Sequence, residues 1–357
     1  MFPTRVLHDA GQSLWLDNIT RALLGSGTLD HYIRDLQVTG LTSNPTIFDH
    51  AIADTHDYDS AIRALVAKGK RGEELFFDLA CEDLRRAADL FKPVHERTAG
   101  VDGWVSLEVS PLLAYDADAT LRAARAVRDQ MTRPNVFVKI PGTAEGIGAI
   151  EEAIFEGIAV NVTLLFSREH YVAAAEAYLR GIERRIQAGR SAVVGSVASV
   201  FISRWDRAVH GKVGPAIANK LGLAMAARTY RAYRDLLASD RWQRLANHGA
   251  RPQRLLWAST GSKDPDVSDV VYIEGLAAPH TINTMPEATL LAFADHGQCR
   301  KCLPADGGDA EDVLRAYGDA GVDVVALAER LRREGADSFA ASWRDLLASI
   351  ETKGSAH

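Results

Sequence analysis

Three cysteines in 357 residues are too few for a disulfide-stapled scaffold and fit a chain that folds in a reducing compartment. No run of about 18 or more uncharged apolar residues occurs, so no membrane span is expected. The N-terminus from Met1 to Asp9 lacks the basic start and apolar stretch of a secretory signal, which makes a cytoplasmic location the default expectation. Lys and Arg are scattered rather than blocked, and a net charge of −6 offers no general attraction to phosphate backbones, so nucleic acid is not an expected partner. No Pro/Ser-rich linker, low-complexity block or repeat divides the chain. It reads as one domain over residues 1–357, with 1–12 an N-terminal extension and 350–357 a frayed tail. No Gly-x-Gly-x-x-Gly opens a helix after the first apolar run, which weakens a dinucleotide-binding reading.

What is present is ample material for a core, with 47% apolar and 25% charged residues. Short β-branched or apolar runs recur at 13–19, 41–47, 104–110, 135–141, 159–165, 197–203, 255–260 and 281–286, and the segments between them read as helices. The clearest helix is 168–188, where Tyr171, Val172, Ala175, Tyr178, Leu179, Ile182 and Ile186 share a face behind Ser167 as N-cap. Eight strand–helix units predict an α/β fold, a single (β/α)8 TIM barrel, over an open doubly wound sheet. The polar, proline-containing segment 264–269 is expected to be a long loop after the seventh strand. Cys299 and Cys302 form a Cys-x-x-Cys with His296 three residues earlier, but zinc needs a fourth ligand that the sequence does not offer. Plain thiols are the better reading, and no metal site is expected.

Lys139 stands in the apolar run Asn135-Val136-Phe137-Val138-Lys139-Ile140-Pro141, where a charge is out of place. Burying an isolated ammonium costs several kcal/mol or more, so the neutral amine, a nucleophile toward carbonyls, is often the cheaper state. Side chains alternate across a strand, and parity sorts the neighbouring runs. Leu14 and Leu16, Val105, Leu107 and Val109, Val136, Val138 and Ile140, and Val160, Val162 and Leu164 form a helix-facing layer. The opposite face carries Asp17, Asn44, Glu108, Lys139, Asn161, Thr163 and Ser199, with Phe201 beside Ser199. Polar groups converging from six strands suit an active site at the strand C-termini better than a folding core.

The residues also carry a family resemblance, over roughly residues 13–289. The segments Leu16-Asp17-Asn18-Ile19-Thr20-Arg21, Thr42-Ser43-Asn44-Pro45-Thr46, Ser106-Leu107-Glu108-Val109, Val138-Lys139-Ile140-Pro141, Asn161-Val162-Thr163-Leu164-Leu165-Phe166-Ser167 and the strand end from Ser199 to Arg204 together resemble the transaldolases, in the Schiff-base, sugar-phosphate branch of the class I aldolases. The resemblance implies a transferase of the non-oxidative pentose phosphate pathway. It would move a dihydroxyacetone unit from sedoheptulose 7-phosphate to glyceraldehyde 3-phosphate, giving erythrose 4-phosphate and fructose 6-phosphate. Lys139 would form the Schiff base and Asp17 would take and return the proton of the fourth-carbon hydroxyl. Glu108 and Thr163 would hold the water that shuttles protons. Asn44, Asn161 and Ser199 would bind the hydroxyls of the retained unit, and Phe201 would wall the site. Arg204 matches the family's phosphate arginine. After the seventh strand a Ser-x-Arg is expected, but Ser259-Thr260-Gly261 is followed by Ser262-Lys263, so Lys263 would replace the arginine as a point charge without the bidentate fork. Sugar phosphates are the implied partners, and neither metal nor organic cofactor is implied. The sequence is silent on oligomeric state, so a homo-oligomer stays open. The competing readings are a fructose-6-phosphate aldolase type activity, disfavoured by Glu108 and Phe201, a non-catalytic sugar-phosphate binding barrel, and a fragment of a transaldolase–isomerase fusion, disfavoured by the short tail.

Overall fold

The computed structural model describes residues 2–262 and 264–355. Eight parallel strands pair in sequence order and close: β1 (Ser13–Asp17), β2 (Val38–Thr42), β3 (Trp104–Glu108), β4 (Val136–Pro141), β5 (Val160–Leu165), β6 (Ser196–Phe201), β7 (Arg254–Ala258) and β8 (Ile282–Met285), with β8 returning to β1. The expected (β/α)8 TIM barrel is therefore the observed architecture, with helices around the strands. Among the described residues no helix is long and apolar enough to cross a membrane.

Two faces of each strand meet two different cores. Leu14, Leu16, Val105, Leu107, Val138, Ile140, Val160 and Val162 pack outward against the helices. Trp15, Trp104, Phe137, Val197, Leu256 and Ile282 point to the barrel axis. The lower half of the axis is thus filled by aromatic rings, Trp104 stacking on Phe137 at 4.1 Å and Phe137 on Trp15 at 6.1 Å. Beneath them Asp102 accepts from Trp15 Nε1 at 2.7 Å, from the hydroxyl of Ser13, and from Thr39 Oγ1 at 3.0 Å, with Arg254 3.7 Å away. The N-terminal segment caps this end. Its helix Pro3–Asp9 packs on β1 and on the helix Glu287–His296, and Gln12 donates to Leu276 O and Thr281 Oγ1.

The structure corrects three expectations. The second strand was expected at 41–47, but β2 ends at Thr42 and Pro45 opens the helix Pro45–Ala53. The local chemistry explains the shift: Pro45 has the φ of a first helical position and needs no N–H partner, while Asn44 caps by accepting from Ile47 N–H at 3.1 Å. Leu164 was placed in the helix-facing layer, but the β5–β6 register shifts between Val162 and Leu165, and Leu164 adopts a φ of 59°. This bulge turns Leu164 into the axial core, next to Phe166 and Phe201. Finally, residues 350–355 are not a frayed tail. They complete a 32-residue helix, Val324–Ser355, that is tied down by Lys353 bonding Asp59 at 2.8 Å and by Trp343 Nε1 donating to Glu73 at 2.8 Å. By contrast the helix after β5 runs Arg168–Gln187 with Ser167 accepting from His170 N–H, as expected.

The axial aromatic layer depends on a close approach at Gly40. It faces Trp15 across the β1–β2 pair, and a Cβ there would lie well inside van der Waals contact with the indole. Overpacking of this kind costs about 1–3 kcal/mol. Gly40→Ala is expected to lower the melting temperature by several degrees, and thermal unfolding by circular dichroism checks it. An unchanged melting temperature would mean that Trp15 can move aside.

Candidate functional site

Register places the charged groups before any side chain is considered. Glu108 pairs with Lys139 across β3–β4, Lys139 with Asn161 across β4–β5, and Asp17 with Thr42 across β1–β2. Since partners in register share a face, one row of polar residues runs around the axis at the C-terminal end of the strands. Above it lies a cavity of about 690 Å³ whose wall includes Asp17, Thr42, Asn44, Lys139, Thr163, Ser199, Phe201, Arg204 and Ser259. Eight of the expected site residues therefore come together on one wall, with Thr42 beside them. Glu108 and Asn161 are both buried and stand behind the wall rather than on it. Lys263 lies outside the described residues.

Lys139 is not the isolated charge that the sequence suggested. Its Nζ lies 3.0 Å from Glu108 Oε2 and donates to the carbonyl of Ser43 at 3.1 Å, with both side chains almost fully buried. Apart from that ion pair neither Glu108 oxygen has a protein partner. Burial pushes the Glu108 carboxyl above its usual range, Lys139 pulls it back, and the nearby Asp17 adds to the rise. Asp17 is raised for the same first reason, burial, against the pull of Lys139 and of a hydrogen bond from Thr42. Two carboxylates thus share one cation in a site screened from water. Opposed environmental pulls of this kind mark groups suited to proton transfer.

The remaining polar groups fall into two sets. Asn161 makes two hydrogen bonds within the protein, donating to Ser106 Oγ at 3.1 Å and accepting from Ser199 Oγ at 2.6 Å, so it orients Ser199 toward the cavity. Thr163 differs, being buried with a hydroxyl that has no hydrogen-bond partner among the described residues and a place on the cavity wall that also carries Lys139. Asn44 uses its side-chain oxygen as a helix cap, which leaves its amide N–H groups for a ligand. At the far side Arg204 lies over the rings of Phe201 at 5.1 Å and Phe339 at 5.9 Å, and burial lowers its pKa. Among the described residues no carboxylate lies within ion-pair distance of it. Ser259, at a φ of 55°, lines the cavity and exchanges backbone and side-chain hydrogen bonds with Ser203 at 3.0 Å. A half-buried guanidinium without a carboxylate partner, on a wall that also carries the Ser203 and Ser259 hydroxyls, has the chemistry to receive an anion of phosphate size.

Three residues on the wall were missed by the sequence reading. Phe339 comes from the helix Val324–Ser355 and places its ring 5.5 Å from Lys139 Nζ. No local signal marks it, because its contacts are some 140 to 200 positions away in the chain. Arg207 follows Arg204 by three positions on the helix Ser203–Val209, a spacing that would have paired them had the strand not been expected to run to Ser203. Thr284 lies in the eighth run with inward parity, and its role emerges only from its contact with Thr42. The trio His296, Cys299 and Cys302 forms no metal cluster: among the described residues no group of three metal-binding side chains is found, and His296 bonds Asp269 at 3.0 Å.

Comparisons with known proteins agree with this geometry. A sequence model of the family described as Transaldolase/Fructose-6-phosphate aldolase matches residues 14–350. The chain is 45% identical to a transaldolase of Thermobifida fusca, with 99% of each protein covered. It is 44% identical to a transaldolase of Acidothermus cellulolyticus, covering 98% of this chain and 96% of that one. It is also 38% identical to a protein named transaldolase 2 of a Nostoc species, covering 97% and 96%.

Removing Lys139 would leave Glu108 and Asp17 as buried carboxyls without a cation. Breaking a buried pair in this way costs about 3–5 kcal/mol. Because the folded-state pKa of an unpaired buried carboxyl rises, stability is present below its unfolded value, near 4.3 for glutamate, and is lost as pH rises through the folded value. Lys139→Met is therefore expected to melt lower than the wild type by a margin that grows from about pH 5 to about pH 8. Adding Glu108→Gln should shrink that growth. A margin independent of pH would contradict the charge argument.

Proposed function

The chain belongs to the transaldolase/fructose-6-phosphate aldolase family and its activity is that of a transaldolase; from that premise we propose how the residues of the cavity divide the work. The observation that carries the proposal is Lys139, the one buried lysine among the described residues, held on the cavity wall between a carboxylate and a backbone carbonyl. Its nitrogen attacks the ketone carbon of a ketose phosphate, water leaves, and a protonated imine forms. That imine is an electron sink. Asp17 takes the proton of the fourth-carbon hydroxyl, the bond between the third and fourth carbons breaks, and its electron pair is stored as an enamine on Lys139. The first aldehyde departs, an acceptor aldehyde enters, and the steps run backward with Asp17 returning the proton.

Glu108 and Thr163 serve the dehydration and hydration of the carbinolamine. Their position supports this: a raised carboxyl and an unpartnered hydroxyl flank the lysine, as a water-handling pair must. Ser199, oriented by Asn161, and Asn44 hold the hydroxyls of the three-carbon unit, which must remain attached while the first aldehyde leaves. Asn161 then acts through Ser199 rather than by direct contact. Phe201 and Phe339 keep bulk water from the enamine. Arg204 with the hydroxyls of Ser203 and Ser259 receives the phosphate, and Lys263, four positions after Ser259 in the sequence, is proposed as a second cation. Sugar phosphates of five-carbon metabolism are the substrates, and a cytoplasmic site of action fits them.

Incubation with fructose 6-phosphate followed by borohydride should give an adduct that peptide mass spectrometry maps to Lys139, absent in Lys139→Met. With erythrose 4-phosphate added, sedoheptulose 7-phosphate should form faster than free dihydroxyacetone is released. The reverse order of rates would favour the aldolase reading. Asp17→Asn should still trap the adduct while losing roughly 10²–10⁴ in turnover, the usual worth of a general acid–base group. An adduct on another lysine would overturn the assignment of Lys139.

A further inference from the structure

Asp17 stands at the end of a chain of two hydroxyls. Thr42 Oγ1 on β2 donates to Asp17 Oδ1 at 2.6 Å, and Thr284 Oγ1 on β8 lies 2.6 Å from Thr42 Oγ1. Both threonines are almost fully buried, and both line the cavity with Asp17. The polarity of the chain follows from counting hydrogens. An ionised carboxylate can only accept, so the one hydrogen of Thr42 is committed to Asp17. Thr42 therefore has none left for Thr284, and Thr284 must donate to Thr42. Its own backbone carbonyl is fixed by Thr260 Oγ1 at 3.0 Å, which holds the end of β8 in place. Among the described residues Asp17 Oδ2 has no hydrogen-bond partner.

We propose that Thr284 is a positioning residue for the acid–base step: by donating to Thr42 it locks the Thr42 hydroxyl onto Asp17 Oδ1 and so leaves Oδ2 as the oxygen that exchanges a proton with the substrate. The proposal rests on the reading of Asp17 as that acid–base group. Strand order makes the device available, because β1 lies between β2 and β8 in the closed barrel, and Trp15 pairs with Thr284 two residues before Asp17 pairs with Thr42. The charged groups that face Asp17 are Lys139 on β4 and, through its effect on the same cation, Glu108 on β3. Neither threonine titrates. Cooperative donation along the chain favours the ionised carboxylate, so its loss should move the acid side of the rate profile upward in pH.

The test compares Thr284→Val, which keeps the β-branched shape, with Thr284→Ser, which keeps the hydroxyl. Thr284→Val should lower kcat by up to roughly tenfold, the upper end of the worth of one hydrogen bond between neutral groups, with KM changed by less than about twofold. Its acid limb in the kcat–pH profile should move toward neutral pH, while the borohydride adduct at Lys139 forms as in the wild type. Thr284→Ser should restore both kcat and the limb. Wild-type kcat and profile in Thr284→Val would overturn the proposal, as would equal damage in the two variants, since that would assign the effect to packing. If Thr284→Val does not fold, Thr284→Ala against Thr284→Ser gives the same comparison. Asp17→Asn separates the two levels: if it retains full transfer, the reading of Asp17 fails, whereas a dead Asp17→Asn beside a normal Thr284→Val sinks this inference alone.

Discussion

The ion pair between Lys139 and Glu108 constrains everything around it. A buried ammonium and carboxylate 3.0 Å apart carry a large desolvation cost, which their attraction offsets only when the geometry is held and further hydrogen bonds assist. The barrel supplies that hold by register, since residues paired across β3 and β4 have their side chains on one face at one height. Ser43 contributes a carbonyl from beyond β3, just past the end of β2. Shifting either strand by one residue would turn one partner into the helix layer. Fold and chemistry therefore share one geometric requirement.

The aromatic layer below the pair sets its dielectric surroundings. Trp15, Trp104 and Phe137 close the axis from beneath, so the charged row has water on at most one side. Burial is the first cause of the raised pKa at both Asp17 and Glu108, and that burial comes largely from these rings and from the strands themselves. Asp17 and Glu108 then differ through their neighbours. Glu108 touches the cation directly, whereas Asp17 is steadied by a hydroxyl and feels Lys139 only through space. One lysine with two unlike carboxylates can thus run two proton transfers without exchanging their roles.

Much of this was legible in the sequence because strands are local and periodic. Parity alone put Asp17, Glu108, Lys139, Asn161, Thr163 and Ser199 on the axis, where the structure has them. It failed at Leu164, because a bulge inserts one residue and inverts the alternation beyond it, and a single sequence gives no sign of a bulge when the residue is an ordinary leucine. Asn44 was assigned to the right wall by the wrong element: it caps a helix rather than ending a strand, although the Asn-Pro pair was a helix-start signal. Asn161 illustrates a different limit. Its inward placement could be read, but its commitment to Ser106 and Ser199 depends on three strands at once.

Phe339 lies beyond any periodic argument and shows what the barrel cannot supply. Strand ends leave the mouth open to water, and cover must come from a segment that crosses it. The helix Val324–Ser355 does so and is fastened along its length, by Glu329 to His170 at 2.9 Å, by Ser342 to Thr46, by Trp343 to Glu73 and by Lys353 to Asp59. Its ring is 5.5 Å from Lys139 Nζ and 5.9 Å from the guanidinium of Arg204, so one side chain meets two cations of the cavity. A ring quadrupole attracts a nitrogen cation whether it is an ammonium or a protonated imine, and it offers nothing to the neutral carbinolamine between them. Cover from the C-terminal helix therefore supplies what the strand ends cannot, an apolar ring over the mouth set against the lysine and the guanidinium at once.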